Sequence, residues 1–142
     1  MGISERRERE KAERRAAIVD AAEQVFLRDG YATATMGQVA AAAEVSKGTV
    51  YLYFESKDDL RSATAERWIS ALIARLEPKL EERESGIDGL AAVLEAMNEH
   101  FEENPRHCKM TLSWLAVEGP PEVTPALEGH KRRIREFVGL VI

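Results

Sequence analysis

Apolar residues along this chain recur at spacings of three and four, and no window alternates with period two for long enough to make a strand. The pattern predicts an all-α protein of seven helices. The first runs from residues 6–15 through Ile18, Val19, Ala22, Val25 and Phe26 and stops at Gly30, the residue type that accepts a left-handed conformation past a helix end. Its N-terminal turns set Glu5 four residues before Arg9 and Glu10 four before Arg14, the favourable order for ion pairs along a helix. Thr35 with Gln38 three residues on is a capping box, opening a short second helix with Met36, Val39, Ala40 and Ala43 on one face. Ser46 caps a third helix that ends near Phe54, because Ser56 with Asp59 signals the next start.

The fourth helix is long, with Leu60, Ala63, Trp68, Leu72 and Leu76 on one stripe, widened by Ile69 and Ile73, and Pro78 is expected to kink or end it. Ser85 and Gly86 separate it from a fifth helix whose apolar face is Ile87, Leu90, Ala91, Leu94, Met97 and Phe101, ending before Pro105. A sixth, about residues 106–117, carries Met110, Leu112, Trp114 and Leu115, and Gly119, Pro120 and Pro121 form a loop. Thr124 caps a seventh with Pro125 at its first position, continued by Leu127, Ile134, Phe137, Val138 and Val141. That stripe meets no stop signal before Ile142, the expectation for a fragment of a longer polypeptide. No internal repeat is found.

Composition narrows the classes. The 142 residues are about one domain's length, with 44% apolar and 32% charged residues, enough to bury a core. No apolar run approaches the roughly 20 residues that span a bilayer, and the N-terminus mixes Arg, Lys and Glu, so membrane insertion and Sec export are not expected. The single cysteine, Cys108, forms no internal disulfide or zinc cluster, which fits a reducing cytoplasm. The net charge of −5 argues against diffuse, charge-driven nucleic-acid binding. It is unevenly spread: residues 1–61 hold ten basic and eleven acidic residues, residues 62–142 ten and fourteen. Any contact with DNA has to come from a few well-placed donors.

Two short helices joined by a turn at Glu44 and Val45 make a helix-turn-helix pattern. With Val50 set at the inner face of the third helix, 100° per residue puts Phe54 and Ser46 inward as well. Gly48, Thr49, Tyr51 and Leu52 fall on the outer arc, with Tyr53 on its flank and Lys47 in the first turn. That arc carries no carboxylate. One reading packs Leu52 and the tyrosines on other helices; the other places the arc in a major groove, hydroxyls against phosphates and base edges and an aliphatic against thymine methyls.

The runs Gly30-Tyr31, Thr35-Met36, Val39-Ala40, Ala43 to Phe54 and Ser56-Lys57-Asp58-Asp59-Leu60 resemble the DNA-binding domain of the tetracycline-repressor (TetR) family over roughly residues 15–61. Two positions depart from the family pattern: Glu44 stands where Gly is usual, and Ala34 where Thr is common. By that resemblance Glu44 is expected to be tolerated, the turn not demanding a positive φ in every member, while its negative charge near DNA is expected to weaken or tune binding. The resemblance implies a ligand-responsive transcriptional regulator, usually a repressor, that binds a palindromic double-stranded DNA operator as a homodimer and is released by a small-molecule effector. It implies a helix-turn-helix domain over residues 1–61, joined by a long fourth helix to a helical bundle over residues 62–142 for effector binding and dimerisation. It places Lys47, Gly48, Thr49, Tyr51, Leu52 and Tyr53 on the recognition helix capped by Ser46, and Thr35 and Lys57 where the family holds phosphates. Helix N-termini suit that role, offering free amides and a positive dipole end. Residues 6–15 fit either further phosphate contacts or a salt-bridged helical extension.

Family dimers pair through C-terminal helices that these residues do not include, so this chain alone is expected to dimerise weakly. The fourth helix, shared by both regions, is the expected lever between effector and DNA. Trp68, Ile69, Leu72, Met97, His100, Phe101, Met110, Trp114 and Glu118 are the candidates for lining an effector pocket, most of them also suited to a plain core. His100, His107 and His130 with Cys108 match no ligand spacing, so neither a metal nor another cofactor is expected. No nucleophile and base pair or phosphate-cradling loop points to an enzyme. The alternative class is a helical protein-interaction module that has lost DNA binding, in which Leu52 and the tyrosines meet a protein.

Overall fold

The computed structural model describes residues 2–81, 86–110 and 132. The described residues contain helices and no strand, in the order α1 (Ile3–Asp29), α2 (Met36–Ala42), α3 (Lys47–Tyr53), α4 (Lys57–Glu81) and α5 (Gly86–Glu103), with residues 105–110 also helical. The sixth helix beyond residue 110, the loop at 119–121 and, residue 132 apart, the seventh helix lie outside the described residues, as do Trp114, Glu118 and His130. The chain divides into two compact units, residues 1–64 and 65–142.

The first unit is built on α1. Its first four turns are exposed, and its core side begins at Ile18 and Val19 and continues through Ala21, Ala22, Val25 and Phe26. The exposed turns carry the ion pairs Arg6–Glu10 (3.1 Å) and Arg9–Glu13 (3.7 Å), while the Glu5 carboxylate accepts the Gly2 amide at 3.0 Å. Pairs this exposed contribute little to stability, about 0.5 kcal/mol each at most. Gly30 ends α1 at φ 81°, as its residue type predicts, with its amide on the Phe26 carbonyl.

Packing of α1 on α2 and of α2 on α3 closes the core, in which Val39, Val50 and Leu60 are wholly buried beside Ile18 and Phe26. Phe54, just past α3, is buried too, and the Arg15 guanidinium lies 5.0 Å from its ring centroid. The Glu44 turn corrects one expectation: Glu44 has φ +56°, so the turn does require the left-handed region that favours glycine. Chain direction has to reverse between α2 and α3 within a few residues, and the Val45 amide reaches back to the Ala40 carbonyl at 3.0 Å.

In the second unit α4 runs on to Glu81 with Pro78 inside it, rather than ending at the proline. Proline removes one backbone bond near the helix end, and Lys79 in the following turn is tied to Glu99 of α5 at 3.0 Å and to Glu95 at 4.0 Å. Gly86 is the first residue of α5 rather than a separator before it. The apolar face expected for α5 is also corrected. Gly89, Ala92, Ala96 and His100 are its buried residues, whereas Ile87, Leu90 and Leu94 are 83%, 54% and 60% exposed. Small residues on the inner side let a helix approach its neighbours closely, and no sequence period distinguishes that side from a stripe of larger apolar residues.

Candidate nucleic-acid interface

The sequence places two caps where the helix-turn-helix needs them. Thr35 accepts the Gln38 amide through Oγ1 at 3.2 Å, and Gln38 Oε1 accepts the Thr35 amide at 3.0 Å. Ser46 Oγ accepts the Thr49 amide at 3.1 Å and stands 2.8 Å from the Thr49 hydroxyl. Ser46 is exposed, not inward as the helical wheel had it, because an N-cap turns its side chain along the helix axis.

From that cap α3 makes two turns with one buried residue, Val50. Lys47, Gly48, Tyr51 and Leu52 are exposed, and Thr49 and Tyr53 half-buried. Leu52 is 82% exposed and Tyr51 46%. A Cβ on Gly48 would meet only Ser46 Oγ, at 3.9 Å, so this part of the helix is open to close approach. The face is continuous and free of carboxylates. The nearby acidic groups Glu10, Glu13 and Glu44 instead line a cleft of about 330 Å³ between α1 and the turn, with Arg14, Ala17, Ile18, Ala43 and Val45.

Lys57, at the first position of α4, points into the protein. Its Nζ donates to the carbonyls of Tyr31 at 2.7 Å, Ala34 at 3.1 Å and Ala32 at 3.3 Å, and lies 4.4 Å from the Tyr31 ring centroid. The Tyr31 hydroxyl donates to Asp58, and the buried Arg61 guanidinium, ion-paired with Asp58 at 3.5 Å, lies 5.0 Å from the same ring. Phe26 meets that ring edge-on at 5.3 Å. This hub escaped the sequence reading. Its signal was Gly30-Tyr31 beside Lys57-Asp58, two fragments of pattern with no visible reason to touch.

In the second unit three of the pocket candidates come together. Trp68 stacks on Phe101 with centroids 5.6 Å apart, and His100 tilts against Trp68 at 4.8 Å. Trp68 Nε1 and His100 Nε2 are buried with no hydrogen-bond partner among the described residues. Burial, followed by the Arg75 cation, pulls the His100 pKa below its ordinary value. Arg75 itself is held by Glu103 and, at 3.7 Å, by Glu99, and its hydrogen bonds draw the Glu103 carboxyl below the ordinary carboxylate range. Ile69, Leu72, Met97 and Met110 are half-buried. Among the described residues no cluster of His, Cys, Asp or Glu could hold a metal, and no helix is long and apolar enough to cross a membrane.

Two short capped helices, a left-handed turn and an exposed second helix define a helix-turn-helix protein. Residues 18–64 match the family of bacterial regulatory proteins described as the tetR family. It is 32% identical over 84 residues to the fatty acid metabolism regulator protein of Bacillus subtilis (strain 168), covering 59% of this chain and 42% of that protein. Of solved structures, a TetR family transcription regulator from Marinobacter aquaeolei VT8 superposes with TM-score 0.72 at 19% identity, covering 94% of this chain and 67% of that one. The transcriptional regulator FadR from Bacillus subtilis, solved in complex with stearoyl-CoA, superposes with TM-score 0.62 at 22% identity, covering 89% and 65%. The chain thus spans less than half the length of the first relative and about two thirds of these two structures.

Proposed function

We propose that this chain is the operator-binding and partial effector-binding portion of a ligand-responsive cytoplasmic repressor. The observation that carries the reading is the bare face of α3, on which Leu52 stands 82% exposed between Tyr51 and Tyr53. An apolar side chain held out by a buried neighbour at Val50 suits thymine methyls, and the Ser46, Thr49 and tyrosine hydroxyls suit phosphates and base edges. Lys47 adds a cation at the start of the helix. Thr35 presents the N-terminus of α2 to the backbone of the duplex. A homodimer of the whole protein sets two such helices about 34 to 36 Å apart, one turn of a palindromic operator.

The effector site of this reading lies beside Trp68, His100 and Phe101. Two buried nitrogens without partners among the described residues call for a polar group on the ligand, and the aromatic rings for an apolar body. The name of the Bacillus subtilis relative, a fatty acid metabolism regulator, points to the same chemical class. α4, which runs from Lys57 to Glu81, is the proposed carrier of the signal between the effector and α3.

Selection of bound sequences from random duplexes, followed by a salt titration on the winner, tests the DNA reading. An inverted-repeat half-site and a steep fall of affinity with salt are expected. No enriched sequence, with a flat salt response, would favour the protein-interaction module. Stearoyl-CoA and free stearate, added separately to the complex, test the effector class.

A further inference from the structure

We propose that Lys57 is a positioning residue that locks the start of α4 to the connection between α1 and α2, and that it does not pair with a DNA phosphate. The inference deepens the operator-binding reading above and rests on it.

An ammonium has three hydrogens. Those of Lys57 face three carbonyl oxygens, of Tyr31, Ala32 and Ala34, at 2.7, 3.3 and 3.1 Å. The three carbonyls converge because residues 31–33 curl as a turn, closed by the Ala34 amide on the Gly30 carbonyl at 3.1 Å. The Tyr31 ring supplies a π face to the same cation at 4.4 Å. A phosphate would have to draw the ammonium out of this set and leave carbonyls of the turn without their donor.

The position of Lys57 in its helix argues the same way. A cation at the first residue of a helix opposes the helix dipole, and the first turn of α4 already holds the favourable charges, Asp58 and Asp59. Asp58 accepts the Tyr31 hydroxyl and Asp59 accepts the Glu55 amide at 3.1 Å. Lys57 therefore breaks a local rule for a tertiary reason, and that reason is the turn it grips. The turn leads straight into Thr35, the cap of α2. Any movement of the α4 start is passed to the N-terminus of α2, and Lys57 with Tyr31 is the joint.

The test compares the whole chain with Lys57→Met, which keeps the stem and removes the donors, and Lys57→Arg, which keeps the charge on a planar fork that cannot cap three carbonyls. Two quantities are measured: the slope of log affinity against log salt on the selected duplex, and amide hydrogen exchange over residues 32–38 of the free protein. Lys57→Met is expected to weaken binding about tenfold with the slope unchanged, and to speed exchange in that segment about tenfold. Lys57→Arg is expected to lose affinity too, again at unchanged slope, and it serves alone if Lys57→Met does not fold. A slope lower by about 0.9 in Lys57→Met, full affinity in Lys57→Arg, or unaltered exchange overturns the proposal. If the unaltered protein binds no duplex, the operator reading fails, while the exchange measurement still decides the joint.

Discussion

Val50 and Leu52 stand two residues apart on α3, and one is 0% exposed while the other is 82% exposed. A rotation of 200° separates them, so the core that grips Val50 is what holds Leu52 outward. The two positions therefore separate stability from binding. Val50→Ala is expected to cost about 2 kcal/mol of folding free energy by leaving a cavity between α2 and α3. Leu52→Ala is expected to change stability by less than about 0.5 kcal/mol and to weaken the selected duplex about tenfold relative to random DNA. Urea melts and competitive DNA titrations read the two effects apart.

Glu44 occupies a left-handed conformation, at φ +56°. Glycine there removes the clash between Cβ and the backbone. Glu44→Gly is expected to stabilise the first unit by about 1 kcal/mol, whereas Glu44→Gln, which keeps the Cβ, leaves stability nearly unchanged. A rise in urea midpoint with Gln equal to that with Gly would assign the effect to charge instead.

The Thr35 hydroxyl is one half of a reciprocal cap. Thr35→Ala is expected to destabilise the protein by about 1 kcal/mol, and Thr35→Ser to restore most of it, as measured by thermal unfolding. A short helix feels such a loss strongly, because each of its few backbone bonds lies close to an end.

His100 is 3% exposed, and its pKa in the folded protein lies below the ordinary value of 6.5. The unfolded chain therefore takes up this proton first as pH falls, so the contribution of neutral His100 is present above pH 6.5 and is lost on acidification below it. The melting temperature of the second unit is expected to drop between pH 7.5 and 5.5. His100→Gln should flatten that drop, and an equal drop in the variant would place the proton elsewhere.

Most of the helix boundaries around the turn were legible because caps and stops are local. Thr35 with Gln38, Ser46 with Thr49 and Gly30 each act within one turn of chain, so their residue types and spacing carry the whole signal. The wheel of α3 was legible for the same reason, with Val50 and Phe54 inward. The α5 face was misread because Ile87, Leu90 and Leu94 have the same period as a core stripe, and hydrophobicity alone does not say which of two adjacent arcs meets the neighbour.

What the sequence by itself determined, then, is the set of helices through the turn, their caps, and the bare arc of α3 that resembles a DNA-reading surface. Only the tertiary structure decided where Lys57 spends its charge, that Glu44 takes a positive φ, and that Ala92 and Ala96 rather than Leu90 and Leu94 face inward. Local hydrogen bonds and helical periodicity act over a few residues and can be read along the chain. Lys57 and Tyr31 are 26 positions apart, and their contact exists only once α1, α2 and α4 have packed.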